Sequence, residues 1–266
     1  MPGLRGDIRL EFTDGVEANN GDLKGKLTKI RLAPLGRRPR SCPEIGPAWW
    51  RLRSTHDSVT GLFDTLYLVR QTRARTKNQS TRGRLSSDAQ DLLRAAIVFT
   101  SAGLDATVQA LIEHAVPLLV IGNANAKNRF EIFIENQVRA SKVEREFLAA
   151  LKDGDPHKRM VQLYIRSLTK ASFQGSKDLK ERACGALGIT NAQLPQSRFT
   201  KLDEFFTARN DVAHRLDLQA STGADSKPPR TQRRQDEVGQ MCGEVLLLIR
   251  DLIKATATNL VECRNT

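Results

Sequence analysis

Apolar residues recur every three or four positions through most of the chain, and that period marks helices. Between Trp50 and Arg75, the residues Val59, Leu62, Phe63, Leu66, Tyr67 and Val69 fall close to i, i+3, i+4, i+7, which predicts a helix with one apolar face. A second, longer helix opens at Ser87-Asp88-Ala89-Gln90, a capping-box pattern in which serine and glutamine satisfy each other's free backbone N–H groups. It runs through Leu92, Leu93, Ala96, Ile97, Leu104, Val108, Leu111 and Ile112. Pro117 is expected to end or kink it, because proline brings no N–H to the helix ladder. Phe130, Phe133, Ile134, Val138 and Phe147 predict one helix over about 127–151. Asp155-Pro156 supplies an N-cap and an N1 proline for the next, which ends near Thr169. Ser176 starts a short helix that Gly188 stops. Thr200 and Asp203 resemble a capping box before Leu202–Phe206, and a final helix spans about Asp236 to Val261. Residues 220–232 read as an exposed loop. The expected fold is all-α, an antiparallel helical bundle.

The first 46 residues break this pattern. Gly and Pro are frequent, and the alternation in Asp7–Phe12 and Leu27–Leu32 around Asn19-Asn20-Gly21 predicts two short strands, a small hairpin or docking arm. Arg31, Arg37, Arg38 and Arg40 then read as a basic linker. The expected organisation is an irregular or hairpin extension over 1–46 and a helical domain over 47–266.

Length and composition agree with a globular chain: 266 residues, 39% apolar and 27% charged. Uninterrupted apolar runs are short; Val245–Ile249 is closed by Arg250 and Asp251, so no membrane span is expected. The start, Met1–Asp7, has no signal-peptide core, and Cys42, Cys184, Cys242 and Cys263 form no Cys-x-x-Cys pair. A cytoplasmic, reduced setting without structural zinc is the expectation. Charge adds more. Forty-two Lys plus Arg against 30 Asp plus Glu leave +12, and 28 of the 42 are Arg. Such a chain attracts polyanions. Aromatics at 5% are too few for a base-stacking surface, so contacts to nucleic acid would lean on phosphates. The candidates are Arg70, Arg73, Arg75, Lys77, Arg82 and Arg84, read as a basic loop, with Arg215.

Familiar catalytic signatures are missing: there is no Gly-x-Gly-x-x-Gly, Walker A loop, Gly-x-Ser-x-Gly or His-Glu-x-x-His. The four histidines, His56, His114, His157 and His214, form no metal-ligand cluster in sequence. His214 stands out through Arg209-Asn210-Asp211-Val212-Ala213-His214. An Arg four to six residues before a His is expected about once by composition alone, and Arg51–His56 is such a decoy. Requiring Asn directly after Arg at this spacing lowers the chance expectation to roughly 0.02 per chain. Only the Arg209 copy passes.

This segment resembles the Arg-Asn-x-x-x-His motif of the HEPN superfamily, helical bundles many of which are ribonucleases. Arg94-Ala95-Ala96 and Gly103-Leu104-Asp105-Ala106 are similar to steps in the second helix of the RiboL-PSP-type HEPN branch. The resemblance covers about 50–262. Thr107 stands where that branch usually has an aromatic, and Arg215 follows the His where Gly is common. It implies catalytic Arg209, Asn210 and His214, with Asp105 as a further catalytic-site residue, an inward acid orienting Arg209 or His214. It further implies RNA as substrate, no cofactor or metal, a homodimer whose two motifs line one cleft, and a role as toxin or antiviral defence effector with an antitoxin or defence-system partner. The chemistry suits metal-free cleavage by the ribose 2′-OH: arginine clamps phosphate oxygens, and imidazole changes charge near neutral pH and so moves protons. Two other readings stand beside it: a catalytically silent HEPN scaffold that dimerises or binds a partner, and a nucleic-acid binder using the arginines alone.

Overall fold

The most apolar long segment of the sequence becomes the centre of the molecule. In a computed structural model, which describes residues 27–265 apart from 41, 78–83, 142, 174 and 220–227, helix α2 (Ser87–Gly122) is flanked by α1 (Gly46–Lys77) and α9 (Gln235–Asn265). The expected all-α bundle is what forms. Arg73 meets Asp88, and Thr55 lies against Gly103, so α1 and α2 run antiparallel. Gln90 meets Arg233 at one end and Gly122 meets Cys263 at the other, so α9 runs parallel to α2. The chain makes that return through α3 (Ala124–Arg139), α4 (Arg145–Leu151), α5 (Pro156–Thr169), α6 (Ser176–Asp178), a π-helical turn (Leu179–Cys184), α7 (Gln196–Thr200) and α8 (Asp203–Arg215). By length and composition α2 is apolar enough to cross a membrane, and most of the side chains in that window are buried against the other helices.

Helix ends obey local chemistry with some shifts. The cap of α2 is Ser86, whose hydroxyl accepts from Ala89 N at 3.4 Å, one residue before the expected serine. Pro117 does not end α2, which continues to Gly122. Losing one ladder bond to a mid-helix proline costs about 3 kcal/mol, and buried Leu119 and Val120 each return about 1.5–3 kcal/mol. The helix expected over 127–151 is two, broken between Arg139 and Arg145. Beyond Phe133 and Ile134 the inward stripe would fall on Gln137, Ser141 and Glu144, so continuing it would bury nothing apolar. Val138 is consequently exposed. Asp155 caps α5 as expected, accepting from Lys158 N at 3.0 Å. Gly188 stops its helix at φ +66, where an added Cβ would sit 2.2 Å from Asn123 Oδ1.

Leu27–Leu32 forms no strand. Its expected partner, Asp7–Phe12, lies outside the described residues. Ile30 and Leu32 instead pack on α9 where Gly239 and Gly243 leave room; a Cβ at Gly239 would come within 2.7 Å of Ile30 Cγ2. Lys29 pairs with Asp64 at 2.8 Å, and Ala33 O lies 3.1 Å from His56 Nε2. Leu35, Cys42 and Ile45 then enter the same core as the helices.

Helices α1 and α2 approach closely at Gly103, where a Cβ would stand 2.1 Å from Thr55 Oγ1. Gly103→Ala should therefore lower stability in urea by about 1–3 kcal/mol, the usual cost of overpacking. In a Thr55→Gly background the same change should cost clearly less, and equal costs would refute this account of the crossing.

Candidate active site

The motif lies on α8. Asp203 and Glu204 in its first turn complement the helix dipole. Thr200 is not its cap: it ends α7, donating to Ser197 O at 3.2 Å. Phe205, Ala208 and Val212 bury one face at i, i+3, i+7 spacing, and that packing fixes where the motif side chains point. Arg209 flanks the buried face. Its Nε donates to Ser101 Oγ on α2 at 3.2 Å, and its Nη1 donates to Asn210 Oδ1 at 2.9 Å. One turn along α2 from Ser101 is Asp105, whose Oδ1 accepts from Phe173 N at 2.7 Å. Burial pushes the Asp105 carboxyl above its ordinary pKa; the Phe173 N–H and the charges of Arg209 and Arg182 pull it down, and Asp178 raises it. So Arg209, Asn210 and Asp105 gather at the α2–α8 junction.

His214 does not join them on the helix surface. It lies five residues from Arg209, about 140° around α8. It is exposed and hydrogen-bonds to none of the described residues. Arg215 is also exposed, 4.0 Å from Asp211.

The turn just after His214 was not legible in the sequence. Leu216 and Asp217 both adopt positive φ, 52° and 62°, in the left-handed region that a bulky residue such as leucine rarely occupies and aspartate tolerates better. Asp217 is 1% exposed. Its Oδ2 accepts from Arg94 Nε at 3.0 Å and Arg233 Nε at 3.1 Å, and its Oδ1 accepts from Arg233 Nη2 at 2.6 Å. Arg94 also reaches Asp91 and Thr231 O, and Arg230 holds the same Asp91 at 2.9 Å. These contacts dock Arg230 and Thr231, within the loop expected over 220–232 to be exposed, and the adjoining Arg233 onto α2. The one signal in the sequence was Arg94 itself, a charged residue on an apolar helix face.

The basic loop is corrected in part. Arg70, Arg73 and Arg75 are on α1, which continues to Lys77 because Leu66 and Ala74 keep its inner face buried. Arg70 is half-buried and donates to Gln235 Oε1, and burial lowers its pKa. Arg73 pairs with Asp88 at 2.5 Å. Arg75 and Arg84 are exposed, and Arg82 lies outside the described residues. The decoy pair has structural partners: Arg51 donates to Pro47 O, and His56 faces Ala33 O. Among the described residues no group of three His, Cys, Asp or Glu could hold a metal ion. A groove of about 480 Å³ beside α2, lined by Trp50, Arg51, Phe99 and Ala106, leaves Trp50 55% and Phe99 52% exposed.

No protein-family model, no curated protein and no solved structure matches this chain.

Proposed function

We propose that the chain is a metal-independent endoribonuclease of the HEPN type. The observation that carries this reading is the placement of Arg209 between Ser101 and Asn210, beside half-buried Asp105, with an exposed His214 in the last turn of the same helix. The Arg-Asn-x-x-x-His resemblance supplies the chemistry. Arg209 binds non-bridging oxygens of one phosphodiester and offsets the charge that builds there. His214 takes the proton of the ribose 2′-OH as its oxygen forms a bond to phosphorus, and the P–O5′ bond breaks. A proton returned to the departing oxygen completes the step. The products are a 2′,3′-cyclic phosphate and a 5′-OH, and DNA, lacking the nucleophile, is spared.

Because Arg209 and His214 diverge on one helix, the reading includes a homodimer in which the two motifs meet. The apolar groove at Trp50 and Phe99 supports such a contact. Light scattering should give about twice the 29.6 kDa chain mass or a multiple. A monomer that cleaves RNA at every dilution would remove the dimer from the proposal. The toxin or defence setting, and an antitoxin-type partner, belong to this proposal through the resemblance alone.

Purified protein with mixed RNA is the direct experiment. Cleavage should persist in excess EDTA, since each proton and each charge is handled by side chains. A strict Mg²⁺ or Mn²⁺ requirement would overturn the mechanism. A second reading, a catalytically silent scaffold of the same family, is favoured by the inward hydrogen bonds of Arg209. Absence of cleavage by a well-folded dimer selects it.

A further inference from the structure

We infer that Asp217, held between Arg94 and Arg233, is the positioning residue for His214. It stands three residues after the imidazole, on backbone that would not keep its shape unaided. Leu216 and Asp217 are successive non-glycine residues at φ 52° and 62°, and such conformations persist only where the surroundings over-determine them. Here the surroundings are specific. The Asp217 carboxylate is buried and takes three N–H donors from two arginines, one on α2 and one just before α9. Its own carbonyl accepts from Thr231 N at 2.8 Å.

Held there, the backbone turns back on the last turn of α8. Leu216 N donates to Val212 O at 3.1 Å, Asp217 N to Asp211 O at 2.9 Å, and Leu218 N to Arg215 O at 3.0 Å. Those bonds bracket His214 on both sides. The imidazole has no hydrogen bond of its own among the described residues, and this turn is the described structure that follows it directly in the chain. A helix end normally frays; this one is tied by charge to α2 through Arg94 and to the segment before α9 through Arg233.

Its activity arm rests on the ribonuclease reading; its structural arm does not. Isotope-labelled Asp217→Asn keeps the side-chain shape and removes the charge that both arginines need. Amide exchange at positions 216, 217 and 218 should rise at least about tenfold, as in a local opening, while amides in the middle of α2 keep the parent's protection. The His214 imidazole cross-peak should broaden or split. kcat should fall at least about tenfold with KM little changed, the pattern of a displaced group. Arg233→Lys, which keeps a charge but loses the two-pronged grip, should lie between parent and Asp217→Asn in every readout. It decides the matter if Asp217→Asn does not fold. Parent-like exchange and a parent-like His214 signal would overturn the inference, as would looser amides with parent kcat. If the parent itself cleaves no RNA, the ribonuclease reading falls, and exchange with the His214 signal alone judges the positioning.

Discussion

His214→Ala and Arg209→Ala should each reduce RNA cleavage by about 10²–10⁴-fold, the range for losing a proton-transfer group or a positioned charge donor. The fold should survive both changes. His214 is exposed and supports no described contact, so its truncation opens no cavity. Arg209→Ala loses the bonds to Ser101 and Asn210, each worth about 0.5–1.5 kcal/mol net, against a total stability of about 5–15 kcal/mol. Asn210→Ala removes only the acceptor that orients the guanidinium, so cleavage should weaken less. Asp105→Asn keeps the acceptor for Phe173 N and removes the charge facing Arg209, which separates orientation from loop support. Arg51→Ala and His56→Ala should cleave like the parent, because their partners are the Pro47 and Ala33 carbonyls. Gel-resolved initial rates on one RNA decide the series. Activity that survives His214→Ala and disappears with His56→Ala would mean the decoy is the motif. Activity that survives both would place the chemistry elsewhere.

Asp217→Ala should cost about 3 kcal/mol in urea or thermal unfolding, the lower part of the about 3–5 kcal/mol seen when one partner of a buried ion pair is removed. The carboxylate side chain is fully buried, and Arg94 and Arg233 are 6% and 13% exposed, so both cations would be left short of a counter-charge without water to replace it. Each keeps a second acid, Asp91 at 2.9 Å and Asp211 at 3.9 Å, which is why the cost should stay at the low end. Asp88→Ala is the control. It breaks the exposed Arg73 pair, and such pairs contribute about 0–1 kcal/mol. Similar losses for the two variants would mean that the buried carboxylate contributes no more than a surface contact. A loss confined to Asp217→Ala would show that the buried carboxylate and its three hydrogen bonds stabilise the fold where the exposed Arg73–Asp88 pair does not.

The helical class of the protein was written in its hydrophobic period, because a stripe at 3.6-residue spacing can bury itself only as a helix. The α5 cap at Asp155 and the stop at Gly188 were legible for the same local reason, since each depends on residues within a few positions. The α2 cap was legible to within one residue, at Ser86 rather than Ser87. The Arg209–His214 motif could be picked out because Asn210 adjoins Arg209 at a fixed step, which chance rarely supplies. Other features needed the tertiary structure. Pro117 stays inside α2 because Leu119 and Val120 find a core there, and Leu27–Leu32 is no strand because Ile30 and Leu32 fit over Gly239 and Gly243. Arg70, Arg73 and Arg75 looked like a cationic loop, yet α1 carries them as helix, and Gln235 and Asp88 engage the first two. Arg94 and Asp217 are 123 residues apart in the chain, and no local pattern joins them. The pair exists only because α2, the end of α8 and the approach to α9 converge where water is excluded, and there a carboxylate between two guanidinium groups is the arrangement that leaves none of the three charges buried alone.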